Sequence, residues 1–180
     1  MATGMYLTDN YPGVGVYPVG TSAFERELES YGVRLSDGGD VGCVCVGFDT
    51  TLTYAKLDRA VHFLRRGAAF VAANPDWVCP MPADEVLPDC GSICALLTAA
   101  SGAKPFYIGK PNRSMVDIIS KMTGVPNRRI CCVGDRLYTD IAVAVNAGAQ
   151  SVLVMSGETT PEMLAESETK PGWVMADVAE

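Results

Sequence analysis

Short apolar runs alternate with segments of helical periodicity along almost the whole chain. Residues 15–20 read as a strand, and Ser22 with Glu25 forms a capping box for a helix whose Phe24, Leu28 and Tyr31 recur at helical spacing until Gly32 stops it. Residues 41–46, VGCVCV, are a strand by composition. Thr53 caps a helix carrying Leu57, Val61 and Leu64 as far as Gly67, and residues 68–73 make the next strand. A turn-rich stretch with Pro75, Pro80, Pro82 and Pro88 leads to a helix over 92–100.

The pattern pauses at 101–104, where a domain boundary is expected. Beyond it, residues 106–108 enter a Gly-Lys-Pro turn, and Met115, Ile118, Ile119 and Met122 mark one face of a helix. A strand over 129–133, a helix over 139–147 and a strand over 152–155 follow. Thr160-Pro161-Glu162 opens a short helix, and 173–175 forms an edge strand. Strands spaced by helices predict a parallel α/β fold.

Composition narrows the function classes. The 180 residues are 48% hydrophobic, enough for a core that needs no metal or disulfide staples. With 14 Lys+Arg against 21 Asp+Glu the net charge is −7, so neither a nucleic-acid backbone nor an anionic membrane surface is expected as the main partner. The longest uncharged stretch, 141–157, is interrupted by Asn146, Gln150 and glycines and makes a poor membrane span. The first ten residues lack a secretory-signal pattern. Seven cysteines without a CxxC pair suggest no disulfide or metal framework. The Cys43/Cys45 and Cys131/Cys132 groups read as small buried hydrophobes, and free thiols point to a reducing cytoplasm.

Two segments carry candidate chemistry. In CCVGDRLYTD, residues 131–140, an apolar strand running into Gly-Asp places Asp135 at the carboxyl end of a parallel sheet, where open α/β folds bind ligands, and Asp140 starts the next helix and turns back toward it. Two such carboxylates suit a hard cation such as Mg2+; they equally serve as a turn residue and a dipole-favoured helix-start carboxylate. In IGKPNR, residues 108–113, Lys110 precedes a helix with Pro111 in its first turn. It reads either as a fixed positive charge for a phosphoryl group or as a solvated loop lysine.

Taken in order, Gly-Lys-Pro, an amphipathic helix and the strand-GDxxxxD segment resemble motifs of the haloacid dehalogenase (HAD) superfamily. With VGFDTTLTYAKL (46–57), FVAANPD (70–76) and VLVMSGETTPE (152–162), the resemblance is to its NagD-like, 4-nitrophenylphosphatase branch and covers nearly the whole chain. The resemblance implies an α/β HAD-like Rossmannoid parallel core, partial here, with a large α/β cap domain: residues 1–13 a remnant of the core-to-cap connection, 14–102 the cap, 103–180 the C-terminal half of the core. It implies Mg2+ held by Asp135 and Asp140, a catalytic Lys110 steadying the phosphate, and Asn74 and Asp76 facing the substrate, a small phosphorylated metabolite. Asn74-Pro75-Asp76 is also a sequence that favours a simple turn.

One part of the family's pattern is missing. The chemistry calls for a nucleophilic Asp in an Asp-x-Asp-Gly-Thr motif, and the nearest stretch, Gly47-Phe48-Asp49-Thr50-Thr51, has glycine at the nucleophile position. Asp49 is therefore expected to be a non-catalytic residue of the cap, and His62 a surface or packing residue. The expectation is a chain that starts after the nucleophile, inactive alone, whose 129–133 strand is left with an open edge that invites self-association; a cap-mediated homodimer is the other possibility. A catalytically inactive binding or interaction fragment is the competing reading.

Overall fold

Valines and cysteines alternating along VGCVCV require a cover on both faces of the strand they form, and the computed structural model, which describes residues 1–179, supplies one on each side. The chain divides into two units, the first ending at Ile108 and the second starting at Gly109. In the first, strands β1 (Gly15–Val19), β2 (Val41–Val46), β3 (Ala69–Ala72) and β6 (Phe106–Tyr107) form a parallel sheet in the order β1-β2-β3-β6. Val44 and Val46 pack against Ala60, Phe63 and Leu64 of α3 (Tyr54–Arg65) and Ile93 and Leu97 of α4 (Cys90–Ser101). Cys43 and Cys45 point the other way, toward Leu7 of α1 (Ala2–Asn10) and Leu28 of α2 (Ser22–Ser30). All four of these strand residues are fully buried, so the two thiols behave as small hydrophobes.

Local chemistry sets the element ends. Thr53 caps α3 as expected, accepting from the Lys56 backbone N–H at 3.2 Å. At α2 the cap is Thr21, not Ser22: Thr21 keeps an extended backbone and its hydroxyl accepts from the Phe24 N–H at 3.3 Å, which leaves Ser22 inside the first turn. The first unit extends past the expected 102/103 boundary because β6 pairs with β3 and the Ile108 N–H donates to the Ala72 carbonyl at 2.9 Å. The proline-rich stretch contains an unforeseen antiparallel hairpin of β4 (Val78–Pro80) and β5 (Val86–Pro88), strands too short and proline-bound to show a period.

Asp49 closes the carboxyl end of β2. Its side chain is buried and takes the Lys56 ammonium at 2.8 Å and the Thr51 N–H at 2.8 Å, while Lys56 also donates to the Gly20 carbonyl at 2.7 Å. The loop after β2 is thereby tied to the end of β1.

In the second unit β7 (Cys131–Gly134), β8 (Gln150–Val154) and β9 (Trp173–Met175) form a parallel sheet in that order. Val116 of α5 (Ser114–Thr123) packs with Val143 and Ala147 of α6 (Ala142–Ala147) and with Cys132 on one face. On the other, Leu153, Met155 and Leu164 of α7 (Pro161–Glu166) pack with Leu137 and Ile141. Four expectations are corrected here. Asp140 lies not at a helix start but in a wide π-type turn, Leu137–Ile141, that precedes α6. Pro111 stands ahead of α5 rather than in its first turn, after a cis Lys110–Pro111 bond. Cys131 is exposed instead of buried, because it is Cys132 that packs against Val116, Val143 and Ala147, and the buried positions of α5 are Val116 and Ile118 while Ile119 and Met122 face solvent. Among the described residues no helix is long and apolar enough to cross a membrane.

Burial by itself would raise the Asp49 carboxyl pKa, but hydrogen bonds from Lys56 and Thr51 outweigh it and hold the group below the usual range. A carboxylate depressed in the folded state stabilises the fold above its unfolded pKa of about 3.9, and that contribution disappears as the pH falls through the folded value. Asp49→Asn is expected to cost about 2 kcal/mol in urea unfolding at pH 7 and much less at pH 2. A loss independent of pH would show that the Lys56 pair is not its source.

Candidate active site at the carboxyl end of β7

Gly134 ends β7 because no other residue fits there: a Cβ would collide with the Cβ, Cγ and Oδ2 of Asp140. The wide turn brings Asp140 back over the strand end, where its Oδ2 accepts from the Arg136 N–H at 3.2 Å and its Oδ1 is ion-paired with the Lys110 ammonium. Asp140 is nearly buried, whereas the Lys110 side chain is 46% exposed.

Asp135, directly after β7, is gripped by the loop that follows β8. Its Oδ2 accepts from the Glu158 N–H at 2.8 Å, and its carbonyl accepts from the Thr159 N–H at 3.2 Å and from the buried Thr159 hydroxyl. Gly157 lies against the Asp135 carboxylate so closely that a Cβ would overlap it. The Glu158 carboxylate accepts from Arg136 Nε at 2.7 Å and from the Tyr138 hydroxyl at 2.8 Å, which fixes the loop from the other side. The Glu158 N–H is the chief cause of a lowered Asp135 pKa; partial burial opposes it, and its own backbone N–H with the charges of Arg136 and Lys110 reinforce it.

The arrangement is a pair of carboxylates at one strand end with an ammonium on one of them. No group of three or more His, Cys, Asp or Glu side chains with metal-binding geometry occurs among the described residues. Two hard oxygen donors are nevertheless what Mg2+ takes from a protein when water and phosphate fill its remaining positions. The hydroxyl of Thr139, inside the same turn, is buried with no hydrogen-bond partner among the described residues. A cavity of about 200 Å3 opens between α5 and β7, with Lys110 and Asp140 at its polar end and Met115, Ile119 and Val133 along its apolar wall.

A family model described as HAD-hydrolase-like matches residues 107–180, the segment that holds this site. An acid sugar phosphatase of Staphylococcus haemolyticus is 32% identical over 178 residues, covering 99% of this chain and 67% of the relative. Among solved structures, a 4-nitrophenylphosphatase from Thermotoga maritima is 41% identical with a TM-score of 0.87 over 98% of this chain and 67% of its own, and NagD from Escherichia coli K-12 is 31% identical with a TM-score of 0.89 over 99% and 69%. The chain belongs to the HAD-like hydrolases. It spans about two thirds of the length of these relatives.

Within this HAD-like chain Lys110, Asp135 and Asp140 come together in the second unit. Asn74 and Asp76 belong to the first, after the carboxyl end of β3, where the Asn74 side-chain oxygen accepts from the Asp76 N–H at 3.0 Å in the turn their types favour. Sequence reasoning missed Arg136, Gly157, Glu158 and Thr159. Their signal was the Ser-Gly-Glu-Thr-Thr stretch after an apolar strand, which places a loop at the same sheet end as Asp135 but names no contact.

Gly157→Ala is expected to push Asp135 off the Glu158 N–H, so that its carboxyl pKa rises toward about 3.9. Carbon-detected NMR titration of the Asp135 carboxyl reads this directly; an unchanged titration would show that the loop does not hold the group.

Proposed function

We propose that this chain provides the metal-holding carboxylates and the phosphate-binding lysine of a Mg2+-dependent phosphatase acting on a small phosphomonoester of the 4-nitrophenyl, sugar or nucleotide phosphate type. The observation that carries the reading is the Lys110–Asp140 pair beside an independently anchored Asp135 at one strand end, in a chain whose similar proteins bear phosphatase names. Asp135 and Asp140 would hold Mg2+. When bound, the ion neutralises and clamps phosphate oxygens.

The remaining work falls to the chain's own side chains. Lys110, half exposed, has the reach to leave Asp140 for a phosphoryl oxygen and to balance the charge that spreads over those oxygens during transfer. Asp140 keeps its Arg136 N–H when that happens, so its orientation survives the exchange. Asp135 stays ionised because of the Glu158 N–H and presents a negative charge rather than a proton. In this reading the first unit is the cap, its Asn74-Pro75-Asp76 turn faces the substrate, and the protein works in the cytoplasm.

The route through an aspartyl-phosphate needs a nucleophilic carboxylate, and the sequence has no Asp-x-Asp-Gly-Thr stretch. That fact also favours a second reading, a HAD-like binding fragment without catalysis. In the proposed assignment the nucleophile comes from polypeptide outside these 180 residues.

The chain alone is expected to hydrolyse 4-nitrophenyl phosphate no faster than its Asp135→Ala variant, yet to bind Mg2+ by titration calorimetry at least tenfold more tightly than that variant. Metal-dependent turnover abolished by Asp135→Ala would overturn the external nucleophile. Equal Mg2+ binding by both proteins would overturn the metal site.

A further inference from the structure

Because Thr21 rather than Ser22 caps α2, Glu25 falls one position beyond the one from which a capping-box carboxylate reaches back to the cap residue's N–H. Its carboxylate makes no hydrogen bond or ion pair among the described residues. It stands half-buried in the wall of a cavity of about 340 Å3. All of that cavity lies within the first unit, between β1, the starts of α2 and α3, and residues 35–37. The last of these walls is tied to β1: the Val16 N–H donates to the Arg34 carbonyl and the Ser36 N–H to the Val16 carbonyl, both at 2.9 Å.

Tyr17 lines the cavity from β1. The residue is only 9% exposed, and its ring packs on Phe63 at 5.2 Å between centroids. A phenol so buried normally finds a hydrogen-bond partner, yet the Tyr17 hydroxyl has none among the described residues. Unlike the Thr139 hydroxyl it is not sealed in, so it opens into the cavity its residue lines. Burial is the chief cause of a raised Tyr17 pKa; the Arg59 charge opposes it, and the Asp37 and Glu25 carboxylates reinforce it, which sets the hydroxyl in the field of both acidic walls.

The lining is one-sided in what it can offer. Lys56 is the basic residue of the lining, and its three protons are committed to the Gly20 carbonyl at 2.7 Å, Asp49 at 2.8 Å and the Thr51 hydroxyl at 3.1 Å. Arg59, nearby, lies over the Phe63 ring at 4.8 Å and donates to the Asp37 carbonyl. Ser36 spends its hydroxyl proton on Asp40 at 2.6 Å. What is left is oxygen acceptors, the Glu25 and Asp37 carboxylates and the Tyr17 hydroxyl, beside the apolar Pro18 and Leu35.

Acceptors without free donors repel an anion and attract a cation, and the net charge of −7 works in the same direction. The volume is that of a small-molecule pocket, larger than a bare metal ion fills. We propose that this cavity binds a small aliphatic ammonium ion, whose N–H protons meet Glu25, Asp37 and the Tyr17 hydroxyl and whose carbon chain lies on Pro18 and Leu35. The site shares no residue with Lys110, Asp135 or Asp140.

Amide NMR spectra of the full chain, titrated with butylammonium and separately with tetramethylammonium at constant ionic strength, test this, because the second cation has no N–H to donate. The expected result is saturable shifts at residues 17, 25 and 35–37 with butylammonium alone. Glu25→Gln, which keeps the side chain's size, should weaken binding about tenfold. Tyr17→Phe, which keeps the ring against Phe63, should weaken it about threefold. Asp37→Asn, at an exposed position, should also weaken it and serves even where Tyr17→Phe disturbs the core. Shifts that stay linear to about 100 mM, or that tetramethylammonium reproduces, overturn the site and leave only charge screening. Saturable binding unchanged by Glu25→Gln and Asp37→Asn also overturns it and assigns the ammonium to another surface.

Discussion

A carboxylate can be held in one orientation over the end of a parallel strand only when fixed donors meet its oxygens and the backbone beneath makes room for it. Asp140 satisfies both conditions. Its two oxygens meet the Lys110 ammonium and the Arg136 N–H, and Gly134 withholds the Cβ that would otherwise occupy its place. Other features of the second unit follow from this. The turn before α6 has to be wider than an α-helical one to return Asp140 to the strand it has just left, and the segment before α5 has to end where Lys110 reaches it. Asp135, one residue past the glycine, cannot share those donors and is held instead by the loop after β8.

Comparison of the two lysine–aspartate pairs shows why one reads as architecture and the other as chemistry. Both aspartates follow an apolar strand and a glycine: Val46-Gly47-Phe48-Asp49 in the first unit, Val133-Gly134-Asp135 with Asp140 in the second. Lys56 spends its ammonium on Asp49, the Gly20 carbonyl and the Thr51 hydroxyl at 2.7–3.1 Å, and the Asp49 side chain has no exposure at all. Nothing is left to offer a ligand, and moving either group would leave a buried charge alone. Lys110 is 46% exposed and paired at the rim of a cavity, so the exchange of Asp140 for a phosphate oxygen that the proposed function asks of it would cost little desolvation. The same residue pair thus does different work according to how many partners its ammonium already has.

The alternation of apolar runs and helical periods was enough to read the parallel α/β class, and β3, β6, β7 and β8 lie within a few positions of where the apolar runs put them. Asp135 was legible for the same reason, since a strand that runs into Gly-Asp has to leave the aspartate at its carboxyl end, whereas Asp140 turns back to that end from a wide turn and not from the expected helix start. What escaped was tertiary. The cap of α2 moved from Ser22 to Thr21 because extended backbone at Thr21 decides the matter, not the capping-box pattern. The grip of Glu158 and Thr159 on Asp135 spans more than twenty residues, and only the β7–β8 register brings those loops together. The outward face of α5 was misread because apolar spacing assigns a buried stripe wherever residues repeat, whether or not anything in the chain covers it.

That last misreading has a physical content of its own. Parallel sheets are ordinarily covered on both faces, and in the first unit the central β2 is. In the second unit β8 is buried from Ser151 to Val154, yet β7 alternates between exposed and half-buried positions and β9 is exposed at Trp173 and Val174. The apolar character of Val133, Ile119 and Met122 therefore contributes little to the second unit's own core. Transfer of such side chains out of water is favourable at roughly 25 cal/mol per Å2, and that contribution is realised only when another surface meets them.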